Sequence, residues 1–378
     1  MRGSPGRGIL SAALACGLLV SGCTDEPVPL PPESTTAVPT TTATTPPDVV
    51  TPAPPAVPTP TVATPTETAS TPAFQELRAT LELFSREKLQ EGASAILVKA
   101  KVGSQEWTHA AGVRSRDGRV AAQPGDRFQV GGQVRTMIAV SVMKLVDEGR
   151  LRLDDAITTH LPAAIVPATN PVTIRQLLGN RVDLPGAQAD ALLAQVVEHL
   201  RGAPLDAVLR TDILAPLNLG STGLLGANTG VPDDLVHGYV RIGSDTVDVT
   251  SPGTPGSAAS AGLMSSVEDI TRFQAALLNG QLMSPQSLID MKGTVFADYG
   301  LGLDHWDDRC TNGTYFGHAG DVPGYGSIAI SSADGNRQLA IFMAYPPLPA
   351  AQQPSALALE MTGVAQVALN TVCRFQFR

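Results

Sequence analysis

The order of predicted elements along this chain gives an α+β fold: two strands early, helices through the middle, then a strand hairpin and a closing helix. Grouped strands and grouped helices, without strict β-α alternation, mark this class. Two observations carry the assignment. Ala95 to Val102 and Glu106 to Val113 are strand-like runs on either side of Gly103-Ser104. Tyr325 to Ser331 and Gln338 to Tyr345 flank Asp334-Gly335, a dipeptide that supplies the positive φ of a tight hairpin turn.

The remaining elements follow in order. Phe74 to Leu89 sets Leu77, Leu81, Phe84 and Leu89 close to helical spacing. After the two strands, a long apolar helix opens at Gly132 and stops at Gly149. Ala189 to Arg201 gathers Leu192, Leu193, Val196, Val197 and Leu200 on one face, with Gly202 just past the end. Ser266-Val-Glu-Asp269 pairs a serine cap with an acid at the third position, and Gly280 closes that helix. Ala351 to Thr371 is the expected final helix. The globular domain is therefore placed over residues 72–378, long enough and, at 43% hydrophobic, apolar enough for a sizeable core.

What precedes the domain predicts export. Arg2 and Arg7 lead into an apolar stretch, Ile9 to Val20, that is too short to span a bilayer. It ends in Val20-Ser21-Gly22-Cys23, which resembles a bacterial lipobox. Residues 1–22 are then a signal peptide and Cys23 the lipidation site, holding the chain at the outer face of the cytoplasmic membrane. The alternative is an ordinary cleaved signal that contains a cysteine. Residues 23–71 are rich in Pro and Thr and carry few charges. Prolines lack amide donors and favour extended polyproline II, so this stretch is expected to be a disordered tether rather than a packed unit. At about 3.1 Å per residue it reaches on the order of 150 Å.

Four cysteines divide accordingly. Cys16 leaves with the signal and Cys23 carries lipid. Cys310 and Cys373 remain in an exported domain where oxidation is permitted, and the expectation is a disulfide. Two free buried thiols are the alternative. The net charge of −9 is not gathered into a tail, and no Lys/Arg-rich run exists to hold nucleic acid. Histidines are too dispersed for a metal motif, and no cofactor is expected.

Several segments resemble one family: the penicillin-recognising serine hydrolases, meaning class C β-lactamases, D-alanyl-D-alanine carboxypeptidases and related esterases. They are Phe128 to Gly149 with Leu151-Arg-Leu-Asp-Asp155, Pro171 to Leu178, Ser260 to Asp269, Tyr299-Gly-Leu-Gly302 and Gly317-His318-Ala319-Gly320-Asp-Val-Pro-Gly-Tyr325. The resemblance implies an antiparallel sheet built from both chain ends, with the nucleophile helix between the sheet and an inserted helical region. In the family that helix opens with S-x-x-K, the serine attacking a carbonyl and the lysine taking its proton. Here those places read Gly132 and Arg135. Glycine offers no nucleophile, and a guanidinium stays protonated and cannot act as a base.

The resemblance further implies that Gly132, Arg135, His318, Ala319 and Gly320 line a ligand cleft. The middle motif of the family, Y-x-N, aligns near Pro185 and Ala187, where its loop is shortened and its side chains are lost. Two other S-x-x-K matches, Ser85 to Lys88 and Ser141 to Lys144, read as chance. Ser141 lies nine positions past Gly132, about 13 Å along the helix and about half a turn out of phase. No catalytic residue is therefore expected. The leading expectation is a non-catalytic, lipid-anchored member that binds a peptidoglycan fragment or an envelope protein. The alternative is an active serine hydrolase with a displaced nucleophile. Arg135 is either a cleft charge suited to a carboxylate or the partner of a nearby acid such as Asp183.

Overall fold

The structure, a computed structural model, describes residues 70–161, 172–225, 230–250, 262–295, 298–349 and 355–375. All of them belong to the unit Thr66–Arg378. The signal segment, Cys23, residues 24–69 of the tether, Pro171, Ser260 and the start of the expected last helix lie outside the described residues.

The helix α1 (Pro72–Gln90) starts where Thr71 accepts from the Phe74 amide and proline fills the first turn. Strands β1 (Ala95–Val102) and β2 (Gln105–Gly112) follow, turning at Gly103 with φ +60°. The short β3 (Phe128–Gln129) leads into α2 (Gln133–Asp147). The inserted helical region holds α3 (Ile174–Leu178), α4 (Gly186–Arg201) and α5 (Leu205–Leu209). After β4 (Gly223–Leu224), β5 (Tyr239–Ile242), β6 (Asp245–Asp248) and β7 (Leu263–Ser265) come α6 (Val267–Leu278) and α7 (Pro285–Lys292). The chain then returns to the sheet as β8 (Asp304–Asp308), β9 (Gly313–Val322), β10 (Tyr325–Ser332) and β11 (Arg337–Ala344), followed by β12 (Leu348–Pro349) and α8 (Ser355–Thr371).

The main sheet runs β2-β1-β11-β10-β9-β8, so strands from both chain ends meet at its middle. The β1–β11 pairing is antiparallel, from Ala95 opposite Ala344 to Val102 opposite Arg337. Because strand side chains alternate, each face serves a separate core. Ile96, Val98, Leu339 and Ile341 pack with Leu77 and Leu81 of α1 and Leu369 of α8. Leu97 and Phe342 face Val134, Met137 and Ile138 of α2 and Phe273 of α6. Each such fully buried side chain contributes about 1.5–3 kcal/mol. The architecture is α+β, an antiparallel sheet flanked by helices with a helical insertion.

Two features position the site. Helix α2 is buried on nearly all sides, with every residue from Gln133 to Met143 in the interior, as expected of a helix apolar all round. Helix α4 begins at Gly186, three residues before the expected Ala189. Pro185, at φ −54°, caps it, and its carbonyl accepts from the Gln188 and Ala189 amides. Cys310 and Cys373 are bonded, tying the turn between β8 and β9 to the segment after α8 across 63 residues. A loop of that length is worth on the order of 4 kcal/mol in the chain-entropy model.

Candidate functional site

The site forms where the start of α2 meets β9. Main chain touches main chain there, which only glycines allow. A Cβ at Gly320 would lie 2.0 Å from the Val130 carbonyl oxygen. A Cβ at Gly131, where φ is +51°, would lie 2.8 Å from the Asp321 amide. Gly132, the N-cap of α2, would place a Cβ 2.7 Å from the Ala319 carbonyl oxygen and 3.2 Å from His318 Cε1. Two hydrogen bonds fix this approach: Ser327 Oγ donates to the Val130 carbonyl at 2.9 Å, and Gln133 Nε2 donates to the His318 carbonyl at 2.6 Å. The strand thus occupies the space that a side chain at position 132 would enter.

Arg135 follows one turn into α2 and is 4% exposed. Its Nε lies 2.6 Å from Asp190 Oδ1, and its Nη2 donates to the Gly186 carbonyl at 3.0 Å. Arg135 and Asp190 thus form a buried ion pair. Burial opposes the guanidinium charge, but Tyr299 and Asp190 hold its pKa above the ordinary value. Burial pushes the Asp190 carboxyl up, with Arg135 and His318 pulling the other way. Arg135 does pair with an acid, but the partner is Asp190 and not Asp183. The early start of α4 puts Asp190 at the end of its first turn, facing α2.

His318 stands on β9 with its side chain 12% exposed. Its Nδ1 lies 2.5 Å from the Ala319 carbonyl, and its Nε2 lies 3.0 Å from the Tyr299 hydroxyl. A carbonyl can only accept, so Nδ1 carries the proton, and a neutral imidazole then accepts from Tyr299 at Nε2. That assignment agrees with the tyrosine, whose phenol burial holds in the protonated form against the pull of Arg135.

Around these groups lies a cleft of about 490 Å³. Gly132, Arg135 and His318 line it, as does Ala187; Ala319 and Gly320 stand behind the wall as main-chain packing. Pro185 caps α4 instead of entering the cleft. Tyr299, Asp190, Asp304 and Asp321 also line it, though none was singled out as a site residue from the sequence. Tyr299 had a usable signal, its place in Tyr299-Gly-Leu-Gly302; the acids had none. The cleft can hold a proton between Tyr299 and His318, but no nucleophile or base stands at the start of α2. Ser85 is 1% exposed and donates to the Leu81 carbonyl, and Ser141 is wholly buried in mid-helix. Neither lines the cleft. Among the described residues, no group of three or more His, Cys, Asp or Glu could hold a metal, and no helix is long and apolar enough to cross a membrane.

Comparison with known proteins bears on this geometry. The Beta-lactamase family model matches residues 86–360. A curated relative from Bacillus subtilis (strain 168), named "Putative penicillin-binding protein PbpX", is 23% identical over 61% of this chain and 65% of its own length. Protein flp of Staphylococcus aureus (strain NCTC 8325 / PS 47) is 29% identical over 25% of this chain and 19% of its own. The chain thus spans less than two thirds of either relative. Among solved structures, a D-stereospecific amidohydrolase from Streptomyces sp. superposes with a TM-score of 0.63 at 22% identity, covering 75% of this chain and 97% of that one. D-amino acid amidase from Ochrobactrum anthropi SV3, complexed with L-phenylalanine amide, gives 0.66 at 18%, covering 80% and 99%. At these identities the structural likeness speaks to the fold.

Proposed function

Because this chain belongs to the beta-lactamase family, we propose that it keeps the family's serine-hydrolase-type domain as a binding module and does not run the family's acyl-transfer chemistry. The observation that carries this reading is the contact at Gly132: the Ala319 carbonyl would stand 2.7 Å from any Cβ there. A serine nucleophile needs both its own side chain and space for an acyl group beside it. Arg135 supports the same reading, since a guanidinium locked onto Asp190 and Gly186 accepts no proton.

In this proposal Cys23 carries lipid, residues 23–71 tether the domain at the outer face of the cytoplasmic membrane, and the cleft takes a cell-wall fragment or a segment of an envelope protein. Intact mass after incubation with a fluorescent penicillin, and separately with a fluorophosphonate, tests the chemistry. The expected result is an unmodified protein; an adduct on any serine overturns the reading. Metabolic labelling with an alkyne fatty acid tests the anchor. Label is expected on the wild type and absent from Cys23→Ala, and an unlabelled wild type removes the lipoprotein proposal.

A further inference from the structure

The two edges of the six-stranded sheet are finished differently. At the β8 edge the outward main chain is engaged: the His305 amide donates to the Asp298 carbonyl at 2.8 Å, and Gln366 Nε2 donates to the Asp307 carbonyl at 3.0 Å. At the other edge lies β2, 8 residues long and paired with β1 without a bulge from Gln105 to Gly112. The Val113 amide donates at 2.7 Å to the carbonyl of Ser94, just before β1. The odd-numbered residues of β2 therefore bond inward, and the even-numbered ones point their amides and carbonyls outward. Gly112 agrees, since its carbonyl accepts from the Ala122 amide on the outer side at 3.1 Å. Glu106, Thr108 and Ala110 are left with amide and carbonyl both unpartnered among the described residues. Such an edge is a template for another strand, and chains that must avoid pairing blunt it with proline, lysine or a bulge. Strand β2 has none of these. It reads Gln-Glu-Trp-Thr-His-Ala-Ala-Gly, and its one charge, Glu106, is held by Lys99 at 2.7 Å and by Lys101 at 3.2 Å.

We propose that β2 pairs antiparallel with β2 of a second copy of this chain, about a twofold axis at Thr108, joining the two sheets into one. The strand is self-complementary in that register. Thr108 stands opposite the partner's Thr108, Glu106 opposite the partner's Ala110, and Ala110 opposite the partner's Glu106. All are outward residues, so each pair exchanges two main-chain hydrogen bonds. Between them Trp107 faces the partner's His109, which brings together two ring pairs that each copy already stacks at 5.2 Å. No like charges oppose each other, since Glu106 faces alanine and lies about 13 Å along the ladder from the partner's Glu106. Moving the axis to Trp107 sets Ala110 against the turn at Gly103-Ser104, and moving it to His109 sets Glu106 against Gly112, whose carbonyl is taken. Only the Thr108 register uses all three open residues. With the β8 edge engaged, the contact closes on itself as a dimer and does not extend into an array. This inference is independent of the cleft and of its chemistry.

Sedimentation equilibrium of the full chain in density-matched detergent, with micelles in excess over protein, tests the proposal. From about 1 to about 200 μM protein, the mass should climb from that of one chain toward that of two. Thr108→Pro removes an amide that bonds to nothing inside the chain, at an edge-strand position where proline is tolerated. It should keep the wild-type thermal transition and weaken association at least about tenfold. Thr108→Cys keeps the edge and sets two thiols across the axis, their Cα atoms about 5.5 Å apart. A short bismaleimide should then yield a covalent dimer. Gln105→Cys places its thiols about 20 Å apart and should yield none beyond the wild-type background. A single-chain mass at every concentration, a mass that climbs past two chains, or an equal cross-link from Gln105→Cys overturns the proposal. So does a folded Thr108→Pro that associates like the wild type. Should that variant fail to fold, the two cysteine variants decide.

Discussion

The two walls of the cleft are held together by different means. The strand wall, β9, is bonded along its main chain to β10 from Tyr315 to Val322, with His318 opposite Ala329, and to β8 as far as Gly317, which stands opposite Asp304. The helical wall, where α2 meets α4, depends on one buried side-chain pair, Arg135 with Asp190, and on the Gly186 carbonyl. A ladder of main-chain bonds keeps its geometry whatever side chains it carries. A join made by two side chains can be rewritten by changing those two. On the reading proposed above, the family pattern is kept along Gly317 to Tyr325 and lost at Gly132, Arg135 and Pro185, which is the division these two kinds of support allow.

The comparison breaks most visibly at Arg135. Arg135→Ala leaves Asp190 buried without a counter-charge and should cost about 3–5 kcal/mol in denaturant unfolding, whereas Arg135→Leu with Asp190→Leu should recover most of that loss. A single variant as stable as the wild type would mean that the helical wall does not rest on the pair. On the strand side, replacing both Cys310 and Cys373 by serine should cost roughly 4 kcal/mol at most. The sheet should survive it, since β9 pairs on both edges; loss of the native far-UV spectrum at low temperature would contradict this.

Restoring the family pair, Gly132→Ser with Arg135→Lys, should lower stability by about 1–3 kcal/mol through overpacking against Ala319. It should return little turnover of a penicillin or a D-Ala-D-Ala peptide, because the parts of a catalytic unit are strongly non-additive. Efficient hydrolysis would show that the rest of the cleft still forms a complete catalytic unit. The smallest effect concerns pH. The folded chain holds the Asp321 proton more tightly than the unfolded chain does, so stability falls as pH rises from about 4 to about 6. Asp321→Asn should therefore melt slightly higher than the wild type at neutral pH and equally below about pH 4. Exposure keeps the difference small, and a lower neutral melting temperature would reverse the sign.

Local signals in the sequence were sufficient for β1, β2, β10, β11 and the capped helices, whose patterns repeat within a few residues. Strand β8 escaped because Asp-His-Trp-Asp-Asp alternates no apolar face, and the β5–β6 hairpin escaped because all of it but Tyr239 and Val240 is exposed. The pairing of β1 with β11 joins residues far apart in the chain, and only the family resemblance carried it. The site divides in the same way. Gly132, Arg135 and His318 could be named because motif frames place them. Tyr299 reaches His318 only through the bridge from Tyr299 to Asp304 and the pairing of β8 with β9. Asp190 was missed in favour of Asp183 because the choice turns on where α4 begins, and helix ends are the least legible feature of a sequence.

The contact at Gly132 also has a historical side. Glycine codons become serine codons by one or two base changes, so under the proposed reading the family's serine is never far away in sequence. Yet the first chain to carry that serine would meet the β9 carbonyl at 2.7 Å and lose stability before any activity existed to be selected. Under the non-catalytic reading proposed above, a route to acyl transfer would have to start in the strand and only then reach the helix, which makes the glycine a ratchet.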